Sequence, residues 1–505
     1  MQQFIIGLEV MVESPNKEQS SLAVLSSTSI DDRLNQLEPR LSWFYVRLLL
    51  LTGGSWAIQA AELVLLIFTR GLVAHDIGMG TPLLQLLGVS LFIGSIVGGP
   101  FFGHVADRFG RRMALIVSMI FSLGGLTMTA RADNKPMLLI ARAVIGFGFG
   151  GQLTSTFLLV YELSPRSMSG RMVSLLDAFT GIGGLIGMML AFALALQSGW
   201  RATYLMTSGL VMYTIVLYFT LFESPRWLAE VGRTEEAHMA VRQIEQMHGF
   251  RSSGDISPKT ERQSSYSKDS RLSMAMPSRL KRVTPTLVLW TLWIATTMSS
   301  YAMEIFVPTL ISLTGYNVFT SWITIGALKV AQVAGSVAAA ISLDAYGSHR
   351  SFAVFAPLAS SLSILLSYAT WSRAIVVFVL FMVTALLSAC WSCVYTYTPQ
   401  DYNICYRGRG IGYAVGSSRL AAVVGCYLYP HMFNVWKLSV PVLCWIFGGV
   451  LAIAALLIAI VPHFGYQPLA QGDDINLYTL TSVADLENDM FNVSKELVSV
   501  DNEMM

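Results

Sequence analysis

The chain has 505 residues, of which 54% are hydrophobic and only 13% are charged, and its mean hydropathy is +0.57. A soluble globular protein carries roughly a quarter charged residues, so this composition excludes an ordinary soluble domain and indicates a membrane protein. The 33 lysines and arginines nearly balance the 31 acids, which excludes a strongly basic chain of the kind that binds nucleic acid.

The N-terminal segment, residues 1–44, carries six acids and three bases and lacks a basic start followed by an apolar run. We therefore predict no cleaved signal peptide and interpret this segment as a cytosolic tail. The five cysteines all lie in the last quarter of the chain. We expect no disulfide framework and no metal site from them.

Long apolar runs bounded by Gly, Pro and charge clusters recur along the rest of the chain. A transmembrane helix needs about 20 mostly apolar residues, and such runs are too long for the strands of a barrel. We therefore predict an all-α integral membrane protein with twelve transmembrane helices in two pseudo-symmetric six-helix bundles. The predicted spans are 46–70, 83–105, 113–131, 137–161, 173–196, 200–221, 285–313, 318–343, 351–370, 374–397, 409–433 and 438–462.

One long polar connection divides the predicted spans into two halves. We assign residues 45–222 to an N-terminal bundle, 223–284 to a cytosolic linker, 285–462 to a C-terminal bundle and 463–505 to an acidic cytosolic tail. Lysine and arginine are more frequent in the connections that would lie inside if both termini are cytosolic, as the positive-inside rule requires. Within the linker, Trp227–Met247 has helical apolar spacing and is predicted to lie along the cytosolic face.

An internal repeat supports two related halves. Asp107 follows the second predicted span and Asp344 follows the eighth, and each is followed three residues later by glycine, Gly110 and Gly347. Parallel repeated halves of this kind are a transporter architecture.

Three motifs show a family resemblance. Residues 103–112, GHVADRFGRR, resemble the signature after the second helix of the major facilitator superfamily, and residues 142–150, RAVIGFGFG, resemble its fourth-helix R-x-x-x-G-x-G-x-G pattern. Residues 223–227, ESPRW, resemble the P-E-S-P-R-W-L segment after helix six in the sugar-porter, organic-ion and synaptic-vesicle-protein-related branches, with Phe222 in place of the first proline. The resemblance covers about residues 45–465 and implies transport by alternating access.

The branch is indicated by helices one and seven. Residues 56–62, WAIQAAE, resemble the W-x-x-D-x-x-E pattern of the synaptic-vesicle-protein-related and aromatic-acid transporters, with Gln59 at the usual aspartate. A neutral amide cannot titrate, so proton coupling through this position of the pattern is not expected. Residues 297–301, TMSSY, replace the Q-Q-x-S-G of sugar porters, which disfavours a hexose carrier.

The resemblance implies a cytosolic gate at the charged connections. In this interpretation Asp107 and its neighbouring arginines make salt bridges to Glu162 or Arg171 that latch one helix pair against another. The alternative is that these bases fix the topology and contact lipid headgroups. The predicted gate residues are Asp107, Arg108, Arg111, Arg112, Glu162 and Arg171.

Ionisable residues inside spans usually face the bundle interior or a water-filled cavity, because an unpaired charge in lipid is costly. Glu62 and Arg142 lie at similar depths in the first half, and Glu304 and Lys329 lie at similar depths in the second. Each pair is predicted to bind substrate or couple protons, and the alternative for each is a static salt bridge. We place Asp177 and Arg419 nearer the cytosolic ends of their helices, where they can reach water or headgroups, and rank them lower.

Aromatic residues on helices one, seven and ten suit a planar or cationic solute, although most are expected to serve packing. Tyr301 is the one that we assign to the substrate site, and Trp56, Trp391 and Tyr395 could line the same cavity. The glycines of residues 146–151 and 181–187 are expected to allow close helix approach.

We predict a secondary transporter that moves a small organic solute, by proton-coupled symport of an organic anion. The alternatives are uncoupled or organic-cation transport, or a transporter-like receptor or scaffold that no longer transports. We expect that the protein is not an enzyme, has no cofactor and has no nucleic-acid partner. Its expected partners are the lipid bilayer, the solute and a proton, and we expect it to function as a monomer. The plasma membrane is favoured over an internal membrane.

Overall fold

The computed structural model describes residues 30–37, 41–248, 286–301, 318–368 and 373–460. Glu304 and most of the predicted tails and linker lie outside these residues, so the predictions made for them stay predictions. Throughout the described residues the secondary structure is helical, with no strand, as the all-α prediction requires.

From Trp43 onward the described chain contains fourteen α-helices, which we number in order. They are Trp43–Ile77 (α1), Thr81–Phe109 (α2), Arg111–Ala130 (α3), Lys135–Leu163 (α4), Ser169–Leu190 (α5), Leu196–Ser208 (α6), Val211–Thr220 (α7), Pro225–Glu230 (α8), Thr234–His248 (α9), 286–301 (α10), Val318–Leu365 (α11), Arg373–Tyr397 (α12), Arg407–Asn434 (α13) and Val440–Ile460 (α14).

Nine helices within the described residues are long and apolar enough to cross a membrane. The predicted eighth span and most of the predicted ninth lie within α11, and the described part of the predicted seventh span is only α10. Helix α13 contains three arginines and has a low mean hydropathy. The total of twelve spans therefore stays a prediction.

The outer surface of these helices is apolar. Large side chains such as Ile341, 69% exposed, and Phe219, 79% exposed, point away from the bundle. Monomeric soluble proteins rarely expose contiguous apolar surface on this scale, so the surface requires a hydrocarbon environment. It therefore supports the membrane assignment made from composition.

The two glycines of the sequence repeat interrupt helices in the same way. Gly110 separates α2 from α3 with a φ of +104°, and Gly347 interrupts α11 with a φ of +78°. Residues with a side chain rarely adopt a positive φ, whereas glycine does so readily. The shared spacing from aspartate to glycine thus ends a helix at equivalent places in the two halves.

Helices of the two halves pack directly against one another. Helix α2 packs on α4 within the first half and on α13 of the second, and α5 packs on both α1 and α11. A Cβ at Gly146 would collide with the main chain of Leu91, and one at Gly99 would lie 2.8 Å from the carbonyl oxygen of Gly412. Small residues therefore permit the close approach that we predicted for α4, and they also permit the α2–α13 contact between the halves.

The predicted amphipathic segment of the linker forms two short helices rather than one. Helices α8 and α9 are separated by a turn at Gly232, whose φ is +83°. Both pack at the end of the bundle that carries Asp107, Glu162, Arg171 and Asp344, which we call the motif end.

The last part of the segment predicted as an N-terminal tail is packed against the protein. Residues 30–35 are helical, and Ile30, Leu34 and Leu37 are buried. Arg33 donates two hydrogen bonds to Glu245 of α9, at 3.0 and 2.7 Å. Asp31 pairs with Arg226 of α8 at 2.6 Å. The assignment of residues 1–44 to a tail missed these contacts because short segments show no clear apolar period.

Candidate functional site: a cavity between the two halves

A cavity of about 190 Å³ lies between the two halves. Helices α1 and α5 contribute to its wall from the first half, and α10, α11, α12 and α13 contribute from the second. Its lining residues include Phe68, Asp177, Thr180, Ser300, Tyr301, Lys329, Gln332, Thr384, Ser388, Trp391, Tyr395 and Arg419. Drug-sized ligands occupy pockets of about 300–1,000 Å³, so this cavity fits a smaller solute.

Two cationic side chains of the second half line this cavity. Lys329 Nζ donates to Gln332 Oε1 at 3.3 Å, and Arg419 Nη1 donates to the hydroxyl of Tyr301 at 2.8 Å. Lys329 and Tyr301 were predicted site residues, whereas we had placed Arg419 near one helix end. The structure instead places Arg419 in the wall of the cavity, on α13, which begins at Arg407.

Stacked aromatic rings form one wall of the cavity. The rings of Trp391 and Tyr395 stack with centroids 5.2 Å apart, and Trp56 meets Tyr395 edge-on at 5.4 Å. The indole N–H of Trp391 donates to Ser300 Oγ at 2.9 Å. The N–H of Trp391 thus has a partner within the wall, and the stacked rings suit a planar solute.

Asp177 is the only acid among the described lining residues. It lies on α5 and is 5% exposed, and its carboxylate accepts hydrogen bonds from serines of α11 and α12. We had placed it near the cytosolic end and ranked it low. The structure instead buries it at the contact between the halves.

Glu62 and Arg142 are in contact but do not line the cavity. Arg142 Nη1 donates to Glu62 Oε1, and the two side chains are 0% and 1% exposed, respectively. The guanidinium lies 4.7 Å from the centroid of the Tyr204 ring. The structure thus brings together two residues that had been predicted from their depth alone, within the first half. It also shows that substrate in the cavity would not touch them directly.

At the motif end, Asp107 connects the two halves. Its carboxylate accepts from the main-chain N–H groups of Gly408 and Arg409, both at 2.9 Å, and from Arg409 Nε at 3.2 Å. These N–H groups belong to the first turn of α13, where the helix dipole favours an anion. A carboxylate of the first half therefore caps a helix of the second.

Glu162 forms the second connection between the halves. It accepts from Arg111 of its own half at 2.9 and 3.2 Å and from Arg407 of the other half at 3.2 Å. Arg111 also donates to the main-chain oxygen of Ile404 at 2.9 Å. The Arg111–Glu162 salt bridge was one that we predicted, whereas Arg407 and Arg409 were not among the predicted gate residues.

The remaining predicted gate residues have other partners. Arg171 pairs with Asp344 of the second half, not with Asp107. Arg112 donates to the main-chain oxygen of Tyr218, and exposed Arg108 lies over the ring of its neighbour Phe109. These partners of Arg108 and Arg112 lie in the first half.

The ESPRW motif anchors the linker to the motif end. The carboxylate of Glu223 accepts from the main-chain N–H groups of Arg111 and Arg112, at 2.9 and 3.2 Å, and so caps α3. Burial raises the pKa of Glu223, and these donors oppose that effect. Arg226 donates to the carbonyl oxygens of Glu162 and Ser164, both at 3.0 Å. The motif therefore joins the linker to the helix ends that carry the gate residues.

A family model agrees with this architecture. The model described as the Major Facilitator Superfamily matches residues 48–426, which is well over half of the chain. The chain belongs to the major facilitator superfamily. The resemblance inferred from the three motifs is thereby confirmed, and the protein is a multi-pass integral membrane protein of a transporter family, not an enzyme.

Individual relatives and a solved structure agree with the family. The chain is 28% identical over 394 residues to a niacin transporter, NiaP, of Acinetobacter baylyi, a match that covers 77% of this chain and 87% of that protein. It is 23% identical over 439 residues to a synaptic vesicle 2-related protein of Xenopus laevis, covering 83% and 78% of the two chains. These relatives belong to the branches that helix one indicated.

The fold also matches a solved transporter. A structure of the proton:xylose symporter XylE bound to 6-bromo-6-deoxy-D-glucose aligns with a TM-score of 0.68 at 19% identity, over 83% of this chain and 96% of that one. At this identity the match establishes the fold alone.

Asp107→Asn is expected to slow turnover more than it weakens solute binding. The amide keeps one acceptor oxygen but loses the charge at the N-terminus of α13, which should destabilise closure of the motif end by about 1 kcal/mol. Turnover and affinity can be separated by measuring transport rate and equilibrium binding in purified protein.

Asp133→Asn, at a side chain 89% exposed, is the matched control for Asp107→Asn. If binding to the Asp107 variant collapses while its cycling rate survives, the role of Asp107 in the gate is refuted.

Proposed function

We propose that the protein is a proton-coupled symporter of a small aromatic organic anion, which binds in the cavity between the two halves. The observation that carries the proposal is the cavity wall. It combines two cations, Lys329 and Arg419, with the stacked rings of Trp391 and Tyr395, against a single described acid. A carboxylate attached to a ring matches both features, because charge-assisted hydrogen bonds and ring stacking act on different parts of it.

The relatives support the same class of solute. Niacin, which the Acinetobacter relative is named for transporting, is a pyridine ring with one carboxylate. The small cavity volume also suits a solute of this size better than a larger one.

We further propose that the motif end is cytosolic and that its interhalf contacts form the closed gate of this conformation. The contacts of Asp107, Glu162 and Arg171 with the second half would separate when that end opens. In this proposal the Glu62–Arg142 pair and Asp177 are the candidate sites of proton coupling.

The test is uptake into proteoliposomes with an imposed pH gradient, acidic outside, using three solutes of similar shape. Niacin is an anion, nicotinamide is neutral, and 1-methylnicotinamide, which is methylated on the ring nitrogen, is a permanent cation. We expect niacin to accumulate above equilibrium and a protonophore to abolish this accumulation. Preferred uptake of the cation would instead support the cation alternative, which the presence of Asp177 in the cavity favours.

Two further outcomes would also overturn the proposal. Niacin uptake that equilibrates without responding to the pH gradient would exclude the coupling. If niacin and benzoate are neither transported nor bound, the anion assignment fails and the scaffold alternative is favoured.

Cys405 provides a test of sidedness. It lies at the motif end and is exposed, whereas Cys390, Cys393 and Cys444 are buried. We expect a membrane-impermeant maleimide to label Cys405 only after cells are permeabilised, with Cys405→Ser as the control. Because burial and Glu230 raise the pKa of this thiol, labelling should increase with pH. Labelling of Cys405 in intact cells would place the motif end outside.

A further inference from the structure

Asp177 joins the two halves through a cluster of hydroxyl groups. Its Oδ2 atom accepts from Ser336 Oγ of α11 at 2.9 Å. It also accepts from Ser392 Oγ at 3.0 Å and Ser388 Oγ at 3.3 Å, both on α12. Its Oδ1 atom accepts from Thr180 Oγ1 of its own helix at 3.4 Å. A single carboxylate oxygen of the first half thus contacts three hydroxyls of the second.

The same hydroxyls also contact one another and a main-chain oxygen. Ser336 Oγ and Ser388 Oγ are 2.9 Å apart. Both lie near the carbonyl oxygen of Gln332, at 3.1 and 2.9 Å respectively. With the three contacts to Asp177 Oδ2, the cluster has six oxygen–oxygen contacts of hydrogen-bond length. Rearrangement of the hydroxyl rotors could direct hydrogens to different members of this set.

The cluster has fewer hydrogens than contacts. Each serine hydroxyl carries one hydrogen, so three hydrogens serve six contacts and at least three contacts have none. Two buried oxygens at this distance without a hydrogen between them repel each other. A proton on the carboxyl of Asp177 supplies a fourth hydrogen that can be donated to a serine oxygen. The arrangement is therefore better satisfied when Asp177 is protonated.

Charged and titratable groups around Asp177 come from several helices. Lys329 of α11 and Arg419 of α13 line the same cavity, as do Tyr301 of α10 and Tyr395 of α12. Cys393 of α12, the neighbour of Ser392 in the chain, is buried as well. From α1, Trp56 reaches the cluster through Thr180, to which its indole N–H donates at 2.6 Å.

Glu62 and Asp177, both buried in the first half, differ in their partners. Glu62 is ion-paired with a buried arginine, so protonating it would leave the charge of Arg142 uncompensated. The hydrogen-bond partners described for Asp177 are all neutral hydroxyls. Asp177 can therefore gain or lose a proton without leaving a buried guanidinium unpaired.

We propose that Asp177 is the site that binds the transported proton, and that the hydroxyl cluster couples its occupancy to the contact between the halves. This inference rests on the proposed proton coupling. In the present conformation the carboxyl carries the proton. When α5 moves away from α11 and α12, water replaces the serines, the carboxyl O–H bond breaks, and the proton passes to that water as hydronium. Proton binding thus favours the conformation in which the motif end is closed.

A metal cation fits this cluster less well than a proton. The oxygens lie at hydrogen-bond distance from one another, so a coordinated ion would have to push them apart. Among the described residues there is also no group of three or more His, Cys, Asp or Glu side chains that could hold a metal ion.

The test is niacin transport by Asp177→Asn in proteoliposomes. We expect accumulation driven by the pH gradient to fall to an inside-to-outside ratio of about one, because the amide cannot exchange the proton. Counterflow of labelled against unlabelled niacin at equal pH should continue and should no longer depend on pH. Asp133→Asn, an exposed acid outside the cavity, is the matched control and should behave like the wild type.

A second variant keeps the inference testable if Asp177→Asn does not fold. Ser392→Ala removes one hydroxyl that donates to the carboxylate. Without this donor the charged carboxylate is less stable, so Asp177 keeps its proton to a higher pH. We therefore expect the pH at which counterflow is half-maximal to rise by about one unit, which corresponds to the loss of one hydrogen bond to a charged group. A midpoint unchanged in Ser392→Ala would overturn the cluster's role.

Failure of the inference and failure of the proposed function give different results. If Asp177→Asn still accumulates niacin and Glu62→Gln does not, Asp177 is not the proton site but the proposed symport stands. If the wild type transports niacin without responding to the pH gradient, the proposed coupling itself fails. If a sodium gradient drives accumulation that Asp177→Asn abolishes, the site binds a metal cation and the proton assignment is overturned.

Discussion

Replacing Arg142 by alanine is expected to lower the free energy of unfolding by about 3–5 kcal/mol, because it leaves the buried carboxylate of Glu62 without its cation. Both side chains are almost fully buried, at 0% and 1% exposed, and they are in direct contact. Glu62→Ala should have a comparable effect, because it leaves the guanidinium over the Tyr204 ring with no carboxylate partner.

The double variant Glu62→Ala/Arg142→Ala distinguishes an ion pair from two independent sites. It should be markedly more stable than the sum of the two single effects predicts, since neither charge is then left alone. Thermal unfolding of the detergent-purified protein, followed by tryptophan fluorescence, measures each variant. Arg70→Ala, at an exposed arginine of α1, is the control and should unfold like the wild type. Strictly additive effects would contradict the pairing.

Lys329→Gln and Arg419→Gln are each expected to weaken niacin binding by about 10- to 150-fold. This range corresponds to the loss of one charged hydrogen bond, which contributes about 1.5–3 kcal/mol. Nicotinamide has the same ring without the negative charge, so its affinity should change little. The ratio of the two affinities therefore reports the charge of the cavity separately from its shape.

Equilibrium binding of both ligands by calorimetry provides this ratio. Arg233→Gln, at an exposed arginine between α8 and α9, should leave both affinities unchanged. If niacin and nicotinamide lose affinity in parallel, the substitution has distorted the cavity and the anion assignment loses its support. Arg419→Gln also removes the donor to Tyr301, so Tyr301→Phe shows how much of its effect comes from that hydrogen bond.

The membrane class, most helices and the family could be predicted from the sequence because their signals are local. Long apolar runs must form helices in hydrocarbon, where every main-chain polar group has to be bonded within the segment. Gly110 and Gly347 end helices because both adopt a positive φ, and their spacing from Asp107 and Asp344 is visible in the sequence. The Glu62–Arg142 contact could be anticipated for a similar reason, since depth follows from counting residues along a helix.

The cavity could not be predicted in the same way, because its composition depends on how each helix is rotated and where it begins. Counting along the predicted helix gives a depth for Arg419, but neither the direction in which its side chain points nor its contact with Tyr301 follows from that count. Glu62 and Ala60 lie two positions apart on α1, yet only Ala60 lines the cavity. Two positions on a helix point about 200° apart, so packing alone decides which residue faces inward.

The sequence by itself therefore determined that this chain is a helical membrane protein of a transporter family, with few charges within its apolar runs, and it predicted two related halves. Only the tertiary structure decided which partners its charges meet: Arg407 and Arg409 with the gate acids, Arg171 with Asp344, and Asp177 with serines of the other half. The physical reason is that these contacts join segments more than 150 positions apart. Their formation depends on helix packing, which no local pattern specifies.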